Sequence, residues 1–552
     1  MSADELAEVY VDEWAALNPV AATVAGVAGH DDRIDDLSPD GFAARADLSR
    51  RTVAALEAIV PFDRNDQVAR DAMLERLRLD VDRYDTGVTT SQISAVTGEL
   101  HQLRTAFDLL QAGGEQAAAA IAVRLGAVPA ALRQYQRTLL GAARPGQSSA
   151  RSQVLRVAAQ CERWAGPHGL PRWAEQIEAE GALRAELSRG AEGAAAALAG
   201  LADFLRSELA PRSAASETIG PERYALASRY YLGAEIDLHE AYEWGFAELR
   251  GLETTLRSTA AEIAGPGVGV GEAVAELNSD PGRRVSGTES FRDWMQDLVA
   301  KVVDQLDHAH FDIPRELDTL EVMVATGRDG AMCHTPPSED RTRPGRLWWS
   351  VPSGTESFST WQQASALHHY GVPGHSLRSA APHLFPGRLN RWQRMLGTVP
   401  GHAEGWALYA ERLMAELGYL ADPGDRMGLL VSQWLRTTGL ILDIGLHLKL
   451  EIPRDNAFGF HPGERWKPVL VREFLTHHGR IDPGLPAVAL ESLLGRPGQA
   501  PSFKIGERVW LAGREEAKRR NGSAFNLKTF HRDALKAGPL GLDPLRRALA
   551  QL

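Results

Sequence analysis

Two histidines six positions apart, His369 and His375, lie in the stretch LHHYGVPGHSLR at 367–378, and Glu404 follows in GHAEGWALYAERL at 401–413. Two imidazoles and a carboxylate make a donor set for a divalent cation that keeps one coordination position open for substrate. On an unbroken helix, six residues at about 100° each set the histidines about 240° apart, too far round to share an ion. Pro373 and Gly374 break that helix and let His375 turn back toward His369, so the break is a requirement of the metal reading. Trp406, Ala407, Leu408 and Ala410 give the helix of Glu404 an apolar surface that can seat it beside the first histidine. By residue type alone another reading stays open, in which these are surface histidines or hydrogen-bonded core histidines.

The elements that must carry these residues are helical. From about residue 4 to residue 260 apolar side chains recur at three- and four-residue spacing, as in Met73, Leu74, Leu77 and Val81, with charges on the other face. Breaks are expected at LNP near 18, VPFDRND near 60, ARPGQSS near 143 and PRSAASETIGPE at 211–222. The last is the best linker, dividing an N-terminal helical region (1–215) from a metal-site-bearing helical region packed on it (216–552), unless the two form one continuous domain. Segments 320–324 and 347–351 predict strands of a small β element beside the active-site cleft. Helical periodicity returns near 359 and runs to the end, so the expected class is mainly α, a large multi-helix fold. GPGVGVGEAV at 265–274 follows a helix-like segment rather than a strand and reads as an inter-helix loop. Cys333 and His334 read as isolated loop residues.

With 60 basic against 72 acidic side chains and a formal charge of −12, the chain has no overall field to draw nucleic acid or an anionic membrane. A small-molecule or peptide-like substrate fits better, and nothing in the pattern fixes an oligomeric state. Cys161 and Cys333 are far apart and belong to no disulfide or thiol-metal pattern, which favours a reducing compartment. The start, MSADELAEVYVDEWAALNP, is acidic and amphipathic, unlike a signal peptide, and no stretch reaches the roughly 18 apolar residues of a membrane helix. A cytoplasmic location is therefore expected.

HYGVPGH at 369–375 and EGWALYAERL at 404–413 resemble the marks of a bacterial family, domain of unknown function 885. Its members are metallopeptidase-like and carry His-Glu-x-x-Pro-Gly-His and then Glu-Gly-Trp-Ala-Leu-Tyr. LNPVAATVAG near the start, RPG at 343–345, LDIGLHLKLEIP at 442–453, GQAPSFKIGE at 498–507 and AFNLKTFHRDALKAG at 524–538 look like further family segments in family order. The resemblance implies a metallopeptidase-like fold with zinc, or another divalent metal, on His369, His375 and Glu404. It also implies that Asp443 and His447 lie near the site, Asp443 as acceptor for a ligand imidazole. Glu411, two turns beyond Glu404, faces the same way and reads either as support or substitute for a ligand or as a solvated helix charge.

The chain departs from the family pattern in two places. The glutamate after the first ligand histidine is Tyr370, which removes a general base typically worth about 10²–10⁴ in rate. Where the family has Ser-Tyr-Lys-x-Gly, this chain has Ser502-Phe503-Lys504-Ile505-Gly506, and a lost oxyanion donor costs about 10²–10³. Ligands kept beside altered proton chemistry point to a metal-dependent enzyme acting on a small peptide-like, amide or carboxylate metabolite by cyclisation, lyase, isomerisation or transfer chemistry. Tyr370 can then act as a general acid, or as a base if a nearby cation lowers its pKa; it can also simply fill space. His368 and His402 are candidates for proton transfer, and Lys504 and His531 for orienting an anionic substrate. Two alternatives are a zinc metallopeptidase or amidase whose base has moved to His368, Glu411 or His402, and a non-catalytic binding protein.

Overall fold

The computed structural model of the chain describes residues 2–110, 114–143, 149–326, 332–351, 354–479 and 485–552. Most of the expected break ARPGQSS falls outside them. The protein is mainly α, with two small sheets, and divides into two compact units. Among the described residues no helix is long and apolar enough to cross a membrane.

The first unit comprises Met1–Ile219 with the short segments Asn390–Leu396 and Leu494–Arg496. Its helices Gly114–Ala142, Arg151–Ala165 and Gly181–Phe204 turn their apolar stripes onto one core that includes Ile121, Leu125, Leu132, Val157, Leu187 and Leu198. Arg124 is fully buried in this unit, its guanidinium donating to the carbonyls of Arg33 (2.8 Å) and His30 (2.9 Å) and to the Thr23 hydroxyl (2.9 Å). A buried cation answered by several acceptors is the arrangement that offsets its desolvation.

The second unit comprises Gly220–Leu389, Gly397–Leu493 and Pro497–Leu552 and contains all the residues singled out for chemistry. Three of its helices, Pro400–Glu416, Pro423–Leu448 and Pro501–Asn521, start with proline in the first turn, where a missing N–H costs nothing and the fixed φ suits the helix. Asp422 caps the second by accepting from the amides of Gly424 (2.9 Å) and Asp425 (3.1 Å). The expected strands are present as Glu321–Thr326 and Arg346–Val351, which pair in parallel with Val322 opposite Leu347. Cys333–Thr335 joins the other edge antiparallel, so Cys333 and His334 are strand rather than loop residues. Three-residue strands give too little alternation to be read from sequence, and the pair Arg284–Ser286 and Ser357–Ser359 escaped for the same reason. Leu347, Trp349 and Val351 point inward, and the Trp349 indole donates to Gln363 Oε1 at 2.7 Å, tying this sheet to the helix Gln363–Tyr370. The glycine-rich stretch is a loop only over 265–269, between Leu238–Ala264 and Val270–Ser279; its second half, expected as loop, opens the latter helix, where Glu272 accepts from the Gly269 amide at 2.9 Å.

Two helix pairs dominate the unit: Leu238–Ala264 with Pro423–Leu448, and Pro400–Glu416 with Pro501–Asn521. The second pair meets backbone to backbone. A Cβ built on Gly405 would lie 2.4 Å from Gly506 Cα, and one on Gly506 would lie 2.0 Å from the Gly401 oxygen. Glycine at these positions is what lets the two helices approach closely.

Candidate metal centre

The helix Gln363–Tyr370 carries His369 and ends at Gly371, and a new helix, His375–Ala380, starts at the second histidine. Between them the chain reverses through Val372-Pro373, a cis peptide, and Gly374. A Cβ on Gly374 would fall 1.9 Å from the His369 oxygen, so only glycine closes this turn. The reversal is held from three sides. The Ser376 amide donates to Gly371 O (3.0 Å), His368 Nδ1 donates to Val372 O (3.0 Å), and the Trp406 indole N–H lies 2.8 Å from Pro373 O and 3.1 Å from Gly374 O.

The result is convergence. Glu404 Oε2 lies 3.3 Å from His369 Nε2 and 3.2 Å from His375 Nε2, and donor atoms of the three residues all lie within 4.8 Å of one another. Ligand atoms at roughly 2.0–2.2 Å from one tetrahedral ion stand roughly 3.3–3.6 Å apart, so the donor types and the two distances from Glu404 fit zinc or a similar divalent cation. Behind His369, Glu411 Oε1 accepts from Nδ1 at 2.6 Å, which leaves Nε2 as the nitrogen aimed at Glu404. Glu411 is itself fixed by the hydroxyls of Ser365 (2.6 Å) and Ser432 (3.4 Å). Glu404 and Glu411 are seven residues apart on Pro400–Glu416, within about 20° of one another round the helix, and so face the same histidine. The Glu404 side chain keeps 21% of its surface exposed, against 3% for His369 and 1% for Glu411, so the cluster opens on the Glu404 side.

Charge follows this geometry. Burial pushes the Glu404 carboxyl up, but His375 and His369 outweigh it and hold the group well below its ordinary range. Burial lowers His369, yet its bonds to Glu404 and Glu411 leave its pKa raised. His375, with only Glu404 to oppose burial, is lowered. Tyr370 packs edge-on against His369, ring centroids 4.6 Å apart, and burial raises its phenol despite the opposing charge of Arg436. The hydroxyl therefore carries its proton at neutral pH. Phe503 stacks near His369, centroids 6.2 Å apart.

Other candidates stand elsewhere. Asp443 is not the acceptor for a ligand imidazole; Glu411 has that place. Asp443 Oδ2 accepts from the Tyr224 hydroxyl (3.0 Å) and the Gly498 amide (2.9 Å), and burial pushes its pKa up to about 8. It follows Arg436 by seven residues on Pro423–Leu448, on the same face but roughly 10 Å farther along the axis. His447, farther still, donates from Nε2 to Leu493 O at 3.1 Å and stacks on Tyr224. His402 precedes Glu404 by two residues and Trp406 and Tyr409 follow it by two and five, which sets all three on the opposite side of their helix. His402 Nδ1 accepts from the Leu540 amide at 3.0 Å, and burial lowers its pKa to about 3. His531 meets the Tyr409 hydroxyl at 2.7 Å and stacks on Phe311, also on that far side. Lys504 is fully buried and committed to Gln433 Oε1 (2.8 Å) and Glu507. Neither His531 nor Lys504 reaches the cluster.

Three residues near the cluster were not singled out from sequence as site residues. Arg436 Nη2 lies 3.4 Å from the Tyr370 hydroxyl, with its Cζ 3.9 Å from the centre of the Phe503 ring. Arg378, three residues after His375 on the same helix face, has a buried Nε without a hydrogen-bond partner among the described residues. His334 is depressed well below its ordinary pKa by burial, with His375 and Arg378 adding to the effect. For Arg436 a signal existed: Ser432, Arg436 and Asp443 follow four- and seven-residue spacing on one helix stripe.

Two solved structures share the fold. One, described as a putative lipoprotein from Colwellia psychrerythraea, superposes with a TM-score of 0.82 at 18% identity, covering 100% of this chain and 99% of its own. The other, described as a putative lipoprotein of unknown function from Shewanella oneidensis, gives 0.72 at 14% identity, with 99% of each chain covered. No curated protein matches the chain. The family model described as bacterial protein of unknown function (DUF885) matches residues 19–549. With nearly its whole length matched in this way, the chain belongs to the DUF885 family of bacterial proteins.

Proposed function

We propose that the protein is a metal-dependent enzyme on a metallopeptidase-like scaffold, acting on a small peptide-like, amide or carboxylate substrate without a carboxylate base beside the first ligand histidine. The observation that carries this reading is the convergence of His369, His375 and Glu404 with Glu411 bonded behind His369. A divalent cation bound there, zinc by preference, supplies Lewis-acid polarisation of a carbonyl. Glu411 fixes the tautomer and tilt of His369. Tyr370, where the family has glutamate, offers a proton or a hydrogen bond instead of removing a proton, which suits elimination, cyclisation, isomerisation or transfer better than activation of water. Phe503 makes the adjoining wall apolar.

The alternative of a peptidase with a relocated base draws little support from the candidates for that base. His368 is bonded to Val372 O, Glu411 to Ser365 and His369, and His402 lies on the far side of its helix. An intracellular setting belongs to the proposal and rests on Cys161 and Cys333, neither of them in a disulfide. The lipoprotein description of the two structural relatives would place the protein outside the cytoplasm, and cell fractionation separates the two. The central test is metal analysis of the purified full chain and of H369A, H375A and E404A. One equivalent of metal in the parent and its loss in each variant is the expected result; a metal-free parent that takes up no zinc on titration overturns the reading.

A further inference from the structure

Beside the cluster, Arg436 shares with Arg378 a half-buried guanidinium that no carboxylate answers within ion-pair distance among the described residues, and of the two it is Arg436 that meets Tyr370 and Phe503. Arg412 is answered by Glu507 at 2.7 Å, Arg514 by Glu416 at 2.8 Å and Arg283 by Asp422 at 2.8 Å. Arg436 has no carboxylate within ion-pair distance among the described residues; its neighbours are a phenol and a benzene ring. Withdrawing a guanidinium from water without a counter-charge is unfavourable, and the arrangement becomes favourable when an anion arrives. The cations expected from sequence to meet such an anion, Lys504 and His531, are occupied elsewhere.

The orientation narrows the anion. The Phe503 ring lies against the guanidinium, its centre 3.9 Å from Cζ, and a guanidinium recognises anions through its edge, with its fork of N–H donors. That fork matches the two oxygens of a carboxylate. The Tyr370 hydroxyl, 3.4 Å from Nη2, lies at the same place, and the Tyr370 ring lies against His369. One guanidinium, beside an uncharged phenol, matches the charge of a monoanion.

We infer that Arg436 is the carboxylate-binding residue of this site and that its substrates are monoanionic carboxylates with an amide carbonyl close by, as in N-acylated amino acids and short peptides with a free C-terminus. The inference rests on the metal-enzyme reading for the carbonyl, but the carboxylate contact is a property of the protein alone. Arg436 binds and orients the substrate, which places the carbonyl beside His369, His375 and Glu404.

The test is equilibrium binding to the full chain, with and without added zinc, of matched probes: N-acetylglycine and an acetyl-capped dipeptide, each against its C-terminal amide, with inorganic phosphate as a third arm. The free-carboxylate member of each pair is expected to bind at least about tenfold more tightly, the loss of a charge-assisted pair being worth about that much. R436Q erases the difference, while R436K, which keeps the charge but not the fork, recovers part of it; zinc stoichiometry is the same in all three proteins. Equal binding of acid and amide to the parent at millimolar probe, a preference that survives in R436Q, or phosphate bound in preference to N-acetylglycine overturns the inference. Discrimination through Arg436 in a protein that takes up no zinc upholds this inference and removes the metal reading. Zinc bound by the three ligands without discrimination does the reverse.

Discussion

His369 and Glu411 form a buried pair in which the imidazole donates from Nδ1 to Oε1 at 2.6 Å, so the carboxylate sets which nitrogen is left with a lone pair for the cluster. Replacing Glu411 with Gln keeps the shape and removes the charge that raises the basicity of His369. Zinc affinity, measured by competition with a chromophoric chelator, is expected to fall about 10–100-fold in E411Q. An unchanged affinity would mean that Glu411 has no part in tuning the ligand.

In the proposed function Tyr370 stands beside the first histidine in place of a carboxylate base, and that reading can be tested by restoring the carboxylate. Y370E is expected to gain hydrolysis of a fluorogenic peptide panel on which the parent is inert, and chelator should abolish the gain. Y370F should bind zinc as the parent does. On a substrate whose turnover draws a proton from the phenol, it should lose about 10²–10⁴ in rate. Peptide hydrolysis by the parent itself, as fast as by Y370E, would remove this account of the residue.

The contact of Gly405 with Gly506 predicts a position-specific effect of added methyl groups. G506A must move backbone to fit and is expected to cost about 1–3 kcal/mol in chemical denaturation, in line with core overpacking. G251A, in the exposed interior of Leu238–Ala264 with nothing near its Cβ, is expected to stabilise by about 0.5–1 kcal/mol. The same sign for both would show that helix propensity, not approach distance, decides.

Asp443 predicts a pH effect on stability. Its carboxyl is raised to about 8 in the folded chain by burial, against 3.8 as the ordinary value. The folded state thus holds a proton that the unfolded chain releases, and the stability contributed is fully present below about 4 and is lost as pH rises toward and through about 8. D443N, which cannot ionise, is expected to flatten the fall in melting temperature between about pH 4 and about pH 8. A D443N curve parallel to the parent's throughout would mean that this group does not titrate there.

How much of this was legible in the sequence depends on the range of each interaction. Helices with apolar stripes, proline starts and a Pro-Gly break are local, and they stand where LHHYGVPGHSLR and TVPGHAEGW place them. The strand pair at 321–326 and 346–351 was visible because six residues hold a cluster of apolar, β-branched and aromatic side chains between turn signals. What joins distant segments was not visible. That Asp443 is taken by Tyr224 and Gly498, or that Lys504 is held by Gln433 and Glu507, depends on which helices pack together. Helical angle could have excluded His402, which lies about 200° round from Glu404. Arg436 was within reach of the same arithmetic, whereas His334 was not, because its strand is three residues long.

The indole of Trp406 clasps the carbonyls of Pro373 and Gly374 from the very helix that carries Glu404. The carboxylate and the bend that aims the imidazoles are therefore tied to one another through a single side chain. Small zinc modules need the ion to fold at all. Here Trp406 and Gly374 hold the turn through the protein's own contacts, so on the proposed metal reading the chain is expected to stay folded under a chelator and to take up added zinc afterwards.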